Sequence, residues 1–358
     1  MSTIYLISDH GKLIKKGETL VLKLDEQTSR TIFPFKTEQL VLVGNVEITS
    51  PALKLLMRHR INTVFLNKNG KFNGRLDFQL GKNVYLRRRQ FRLLDDEEFR
   101  LNFARAIVGG KLRNQLTFMQ RIHRRGMDNQ VVRTRIEQIK SLLTKLDTAR
   151  KIDEIRGYEG AGASAFFAAF RYAIVPDFAT FNGRSKNPPA DNVNAVLSFI
   201  YTMIYYRVDA ALEVEGLDGY VGYFHRLDYG KRALAFDLME EYRTPLGDSL
   251  TASLFNLGVL NENDFHEVTF SSEDVEFPLE AEDDTEANIT FQKKKGVLLT
   301  REGLRKVITH FEKRLDTRLF YPPLQKPLSY RQIISQQIRQ FKRVINGEES
   351  LYKPLVIK

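Results

Sequence analysis

The sequence predicts an α+β protein of two domains: a small β-rich N-terminal domain over 1–80, a linker over 81–92 leading into a first basic helix, and a larger all-α domain over 93–358. Three observations carry this. The chain has 358 residues, more than one ordinary domain holds and enough for two with real cores. Through the first 80 residues, apolar residues come in short runs rich in Val, Leu, Ile and Phe, separated by turn residues. Past Gly81 the runs become long, charged and helical in period, with glycine as punctuation.

Taken in order, residues 4–8 and 12–15 flank Asp9-His10-Gly11 and predict a hairpin. Residues 19–24, 31–34 and 39–43 are further short strands. Ser50-Pro51 reads as a helix start, a capping hydroxyl followed by proline, and predicts a helix over 51–60. Residues 62–66 and 71–78 flank Asn67-Lys68-Asn69-Gly70, another hairpin signal. Helices are then predicted over 93–108, 112–124 and 131–146, with Gly109-Gly110 and Gly126 between them. Further helices are predicted over 159–174, 191–209, 232–242, 244–257, 297–315 and 330–345. Between them, eight of the residues 273–286 are Asp or Glu without helix or strand period, so 271–288 reads as an acidic loop.

Hydrophobic content of 42% with 28% charged residues marks a globular chain rather than a disordered one. No cysteine is present, which excludes disulfides and thiolate metal sites. The apolar run over 4–7 is too short for a signal peptide, and the stretches 161–175 and 195–206 are shorter than the roughly 20 residues of a membrane span. A soluble, cytoplasmic protein is the expectation. The net charge is +11, and its placement is informative: residues 82–151 hold 18 Lys and Arg against 7 Asp and Glu, so the rest of the chain is neutral. Basic charge confined to one segment is the footprint expected for nucleic acid; solvated helices of a basic protein are the plainer alternative.

Two acidic features stand out. Asp237, Glu240 and Glu241 lie at i, i+3 and i+4 in a segment whose other residues are almost all apolar, with His225 twelve residues before Asp237. A buried carboxylate needs a partner, and the local sequence allows either a divalent cation or a salt bridge to Arg232 or Arg243. Glu159 sits among Gly157, Gly160, Ala161 and Gly162 at the head of an apolar helix. It can serve the helix dipole, or sit where small neighbours admit another backbone or a DNA strand. Residues 157–162 lack the spacing of a nucleotide-binding glycine loop, and neither a serine elbow nor a zinc-binding His/Cys pattern occurs.

Four stretches together resemble a known family. They are Lys111-Leu112-Arg113-Asn114-Gln115; Arg156-Gly157-Tyr158-Glu159-Gly160 followed by Phe166-Phe167; Asn187-Pro188-Pro189-Ala190-Asp191-Asn192-Val193-Asn194-Ala195 leading into Tyr201; and Gly222-Tyr223-Phe224-His225 with Asp237-Leu238-Met239-Glu240-Glu241-Tyr242-Arg243. Gln336-Gln337 and Tyr352-Lys353-Pro354 add to them. In order and spacing they resemble the Cas1 family of CRISPR adaptation integrases and endonucleases over essentially the whole chain.

The resemblance implies a metal-dependent DNA endonuclease and integrase. Glu159, His225 and Glu240 would be ligands of Mg²⁺ or Mn²⁺, with Asp237 a further catalytic acid one turn earlier. Tyr201, Asn187, Asp191, Lys111 and Arg243 would have supporting roles, and Glu241 and Arg243 would hold the helix end. It also implies transesterification, the 3′-hydroxyl of a captured DNA fragment attacking a phosphodiester at the repeat boundary of a CRISPR array. The implied partners are double-stranded DNA, a second copy of the chain and a small ferredoxin-like Cas protein bridging two dimers. Arg87, Arg88, Arg89, Arg92, Lys111, Arg113, Arg121, Arg124 and Arg125 are the candidate phosphate contacts of the basic segment. Two other functions stay open on sequence: a metal nuclease acting on branched or single-stranded DNA in repair, and a non-catalytic nucleic-acid-binding scaffold.

Overall fold

The structure, a computed structural model, describes residues 2–24, 28–68, 70, 72–76, 83–124, 129–186, 188–270 and 294–357. Asn187, Arg125 and the acidic segment 271–288 lie outside the described residues. The chain divides into two compact units, Met1–Leu80 with Leu299–Arg305, and Gly81–Leu298 with Lys306–Lys358.

The first unit is built on one six-stranded sheet. Its strands are β1 (Ser2–Lys16), β2 (Thr19–Lys23), β3 (Ser29–Ile32), β4 (Thr37–Ile48), β5 (Asn62–Leu66) and β6 (Phe72–Leu76), in the order β3-β2-β1-β4-β5-β6. The pairs β1–β4 and β4–β5 are parallel and the others antiparallel. Helix α1 (Ser50–Arg58) makes the crossover between the parallel strands β4 and β5, as such pairs require. Its Ala52, Leu55 and Leu56 join Leu6, Leu13, Leu20, Leu40 and Leu42 in one core.

Two expectations are corrected here. Asp9-His10-Gly11 does not turn the chain; β1 runs straight through it. The register against β4 passes from Ser8↔Gly44 to Gly11↔Val46, so one extra residue is absorbed as a bulge, with the Ser8 hydroxyl donating to the His10 carbonyl at 2.7 Å. Ser50 is not the cap of α1 but its first residue; Thr49 holds the cap position, and its hydroxyl donates to the Leu13 carbonyl instead.

The second unit is mainly helical. It contains α2 (Val84–Leu94), α3 (Glu97–Arg124), α4 (Gln130–Thr148), α5 (Ile152–Phe170), α6 (Asn192–Glu215), α7 (Ala233–Tyr242), α8 (Ser249–Asn256) and α10 (Tyr330–Ile345), with α9 (Arg301–Asp316) shared between the units. The segment expected as a linker is helix α2, capped by the Asn83 side chain. Helix α3 passes unbroken through Gly109-Gly110 for 28 residues. These glycines mark close approach rather than a break: a Cβ on Gly110 would stand 2.7 Å from the ring of Pro354.

Helix α5 begins seven residues before Glu159, which therefore lies in mid-helix and not in a first turn. The unit is not wholly α. It carries β7 (Phe265–Phe270) against β8 (Lys294–Leu299), and β9 (Arg318–Tyr321) against β10 (Lys326–Ser329). The helix expected from 297 starts only at Arg301, because Gly296 lies flush on Pro188 and Val297 N–H donates to the Pro189 carbonyl at 2.9 Å. Among the described helices one, α6, is long and apolar enough to cross a membrane, but 83% of that stretch is buried inside the protein.

Candidate active site

Helix α3 packs against both α5 and α7 and brings Lys111, Glu159 and Glu240 together. Small residues set the approach. A Cβ on Gly162 would meet the Leu112 side chain at 2.3 Å, so α5 rests on α3 between Lys111 and Glu159. The Lys111 side chain, 5% exposed, then reaches both acids. Its ammonium touches the Glu159 carboxylate and lies 2.6 Å from Glu240 Oε2. The other oxygen, Glu240 Oε1, accepts from Arg243 at 2.8 Å. Gly157 and Gly160, on the exposed side of α5, have no atom within 4 Å of where a side chain would begin.

Asp237 is buried one turn before Glu240 and faces a different neighbour. Gly222 lies so close to Ala233 that a Cβ would stand 2.5 Å away, and this lays the backbone of 223–225 across the start of α7. Asp237 accepts there from the N–H groups of Tyr223, Phe224 and His225, at 2.7, 3.1 and 2.9 Å. It also meets His225 Nδ1 at 2.7 Å. A carboxylate only accepts, so Nδ1 carries the proton and donates, and in the neutral ring Nε2 keeps its lone pair. Arg156, one turn before Glu159 on α5, donates to the Phe224 carbonyl at 3.2 and 2.8 Å and so ties this backbone to α5.

Glu241 turns away from the other two. Burial pushes its carboxyl up to about 7, against hydrogen bonds from Leu355 N–H, the Tyr352 hydroxyl and Gln337. It anchors the C-terminal residues to α7, and Asn114 on α3 does the same through the Leu355 carbonyl and Ile357 N–H, both at 2.9 Å.

After Tyr242 the helix widens into a π-helical turn, Arg243–Asp248, before α8. The extra residue brings both Arg243 and Asp248 to Tyr201 on α6. Arg243 lies 4.4 Å over the Tyr201 ring, and the Tyr201 hydroxyl donates to Asp248. Burial pushes the Asp248 carboxyl up to about 6 and the Tyr201 phenol upward as well. Asp248 and Arg184, which stacks 5.4 Å from Tyr201, went unnoticed in the sequence. Asp248 carried a usable signal, a lone acid in the apolar segment 244–257. Asp191 caps α6, its side chain accepting from Asn194 N–H. Lys111, Glu159, Arg184, Lys186, Tyr201, Arg243 and Asp248 line one cleft of about 450 Å³.

The basic residues separate into two sets. Arg88, Arg89, Arg92, Arg113, Arg121 and Arg124 are exposed and Arg87 half-buried, whereas Lys111 is buried with the two glutamates. Among the described residues no three His, Asp or Glu side chains converge closely enough to hold an ion as they stand. Glu159 and Glu240 converge instead on one positive point, the Lys111 ammonium. Their chemistry still fits a hard divalent cation, which takes carboxylate oxygens. A histidine committed through Nδ1 to a buried carboxylate is likewise the usual form of a metal-binding imidazole.

A β-rich unit joined to a mainly helical unit that pairs Glu159 with Glu240 on Lys111, beside a cleft lined by Arg184, Lys186 and Arg243, defines an α+β protein with a paired-carboxylate site. The model of the CRISPR-associated protein Cas1 family matches residues 4–271. The chain is 31% identical over 362 residues to a "CRISPR-associated endonuclease Cas1 3" of Thermus thermophilus, covering all of this chain and 98% of that one. It is 27% identical over 362 residues to an endonuclease Cas1 of Chlorobaculum tepidum, covering 99% and 98%. In fold it is similar to a Cas1 protein from Thermotoga maritima, with a TM-score of 0.78, 21% identity and coverage of 99% and 100%. It is also similar to a casposase bound to integration product, with a TM-score of 0.80, 20% identity and coverage of 99% and 93%. The chain belongs to the Cas1 family of CRISPR-associated endonucleases.

Proposed function

We propose that the chain is a metal-dependent DNA endonuclease and integrase of CRISPR adaptation, joining the 3′-hydroxyl of a captured fragment to a phosphodiester of the array. The observation that carries this is the meeting of Glu159 and Glu240, from two helices, on one positive point at a cleft bordered by Arg184, Lys186 and Arg243. Glu159, Glu240 and His225 Nε2 would hold Mg²⁺ or Mn²⁺, which when bound polarises the phosphoryl group and neutralises developing charge.

The chain's own residues supply the rest. Asp237 holds the His225 ring in one tautomer and keeps the backbone of 223–225 in place. Arg243 fixes one oxygen of Glu240, leaving the other turned towards α3. Arg184 and Lys186 offer donors to phosphate oxygens across the cleft, and the open surface at Gly157 and Gly160 leaves room for a strand beside Glu159. The exposed arginines of α2 and α3, with Arg125, would carry DNA further along.

A second copy and a Cas2-type protein are the proposed protein partners. Solved relatives of the same fold include a "Cas6-RT-Cas1--Cas2 complex", with a TM-score of 0.80, 24% identity and coverage of all of this chain and 36% of that one. The β-rich unit is the proposed dimerisation unit, and the proposed location is the cytoplasm.

The deciding experiment is integration of a short duplex into a supercoiled plasmid carrying a repeat array, with Mn²⁺ present. Wild type is expected to yield joined strands, and Glu159→Ala and His225→Ala neither joined nor cut products while still binding DNA. Full activity of either variant refutes the site. Cut plasmid without joining by wild type would favour a repair nuclease.

A further inference from the structure

We propose that Lys111 is the divalent cation's built-in rival: its ammonium holds Glu159 and Glu240 together until an ion takes the two carboxylates, and the ion releases it into the cleft. This rests on the metal reading given above. The lysine contacts both glutamates, at 2.6 Å for Glu240, with a side chain only 5% exposed. A divalent ion held by the same oxygens would have to share them with a positive charge a few ångströms away. In a buried site that repulsion is poorly screened.

The geometry also says what can move. The backbone of α3 is pinned on both sides of Lys111. Gly110 lies flush on Pro354, Leu112 fills the space above Gly162, and Asn114 bonds the carbonyl of Leu355 and the N–H of Ile357. The helix cannot withdraw the charge, but the lysine side chain can, being a flexible four-carbon stem. It has somewhere to go, since Lys111 lines the 450 Å³ cleft. Arg243 is placed differently. It holds the other oxygen of Glu240 and is itself stacked on Tyr201, so it stays when the ion enters.

An ion must therefore displace a tethered cation, whose effective concentration at the carboxylates is in the millimolar range or above. Removing the tether should tighten ion binding, although it also removes an ion pair. This separates a rival from a residue that merely supports the ligands, whose loss would weaken binding.

The test uses the full-length protein without DNA and reads Mn²⁺ binding by calorimetry, not activity. Lys111→Met is expected to bind Mn²⁺ at least tenfold more tightly than wild type, and Glu159→Gln more weakly. A second measurement needs no variant. Amine-reactive labelling of wild type, read residue by residue by mass spectrometry, is expected to modify Lys111 slowly alone and severalfold faster with saturating Mn²⁺, with the exposed lysines unchanged. Equal or weaker Mn²⁺ affinity in Lys111→Met, or Lys111 labelling unmoved by Mn²⁺, overturns the proposal. Absence of Mn²⁺ binding by both wild type and Lys111→Met removes the metal reading itself, and the proposal with it.

Discussion

Replacing Asp237 probes how the candidate site is held. Its two oxygens accept four hydrogen bonds, three from consecutive backbone N–H groups and one from the His225 ring, all in a buried place. Alanine would leave the three N–H groups without that acceptor. A buried donor stripped of its partner costs about 1–3 kcal/mol, so the loss of stability should be at least about 3 kcal/mol. Asparagine keeps one acceptor oxygen but turns an NH₂ group towards donors, so it too should destabilise, by about 1–3 kcal/mol for each buried donor left unpaired. In both variants the His225 ring loses the carboxylate that fixes its tautomer, and loss of such a partner lowers metal affinity roughly 10–100-fold.

Urea unfolding in the presence of a chelator measures the first effect, and Mn²⁺ titration of Asp237→Asn the second. The two readouts distinguish an orienting carboxylate from a ligand. An orienting Asp237 predicts a substantial stability loss without metal together with an intermediate loss of affinity. A ligand would lose affinity as severely as Glu240→Gln. Asp237→Asn with wild-type stability and Mn²⁺ affinity within twofold of wild type would refute the reasoning.

Three further expectations follow from particular side chains. Gly247→Ala would bring a Cβ to 2.6 Å from Tyr201 Cε1, and overpacking of this kind should cost about 1–3 kcal/mol, read as a lower urea midpoint with unchanged slope. Asp248, whose carboxyl is pushed from 3.8 to about 6 by burial, binds its proton more tightly in the folded state. Its stabilising contribution is complete below about pH 4 and is lost as pH rises through about 6, on the order of 3 kcal/mol. The stability of Asp248→Asn relative to wild type should therefore rise by about that amount from pH 4 to pH 7, and a pH-independent difference would contradict it. Neutralising Arg113, Arg121 and Arg124 together should flatten the plot of log affinity for duplex DNA against log salt, by roughly 0.9 for each phosphate that these arginines neutralise, with an unchanged slope as the refuting result.

What the sequence made legible follows from the range of the interactions. Strands β2 and β5 and helix α10 were readable because alternation, turn residues and helical period are local signals. Burial of Asp237 and Glu240 was implied by the apolar residues around them, and the need for partners followed from the cost of burying charge. Which partners they found was not readable. Lys111 lies 48 residues from Glu159, and Leu355 lies 114 from Glu241. Gly109-Gly110 misled for a related reason. In sequence a glycine pair breaks a helix, whereas here Gly110 admits Pro354, a residue more than two hundred positions later. The bulge in β1 was missed because Asp-His-Gly has the composition of a turn, and only the pairing with β4 decides that the strand continues.

Three carboxylates on one helix have become three different devices, sorted by what each meets. Asp237 meets backbone N–H groups and becomes an orienting acid for His225. Glu240 meets two cations, one stacked on Tyr201 and one on a flexible stem. Glu241 meets the C-terminal residues through Leu355, Tyr352 and Gln337 and fixes the helix that carries the other two. Residues remote in sequence from the acidic helix, Gln337 and Tyr352, are thereby tied to it. Pro354 covers Gly110 next to Lys111, so both C-terminal contacts support the helices that carry Lys111 and Glu240 without lining the cleft. If the proposed metal site holds, Tyr352→Phe should weaken Mn²⁺ binding through α7 although that hydroxyl bonds the carboxylate facing away from the cleft, and unchanged Mn²⁺ affinity by calorimetry would refute the coupling.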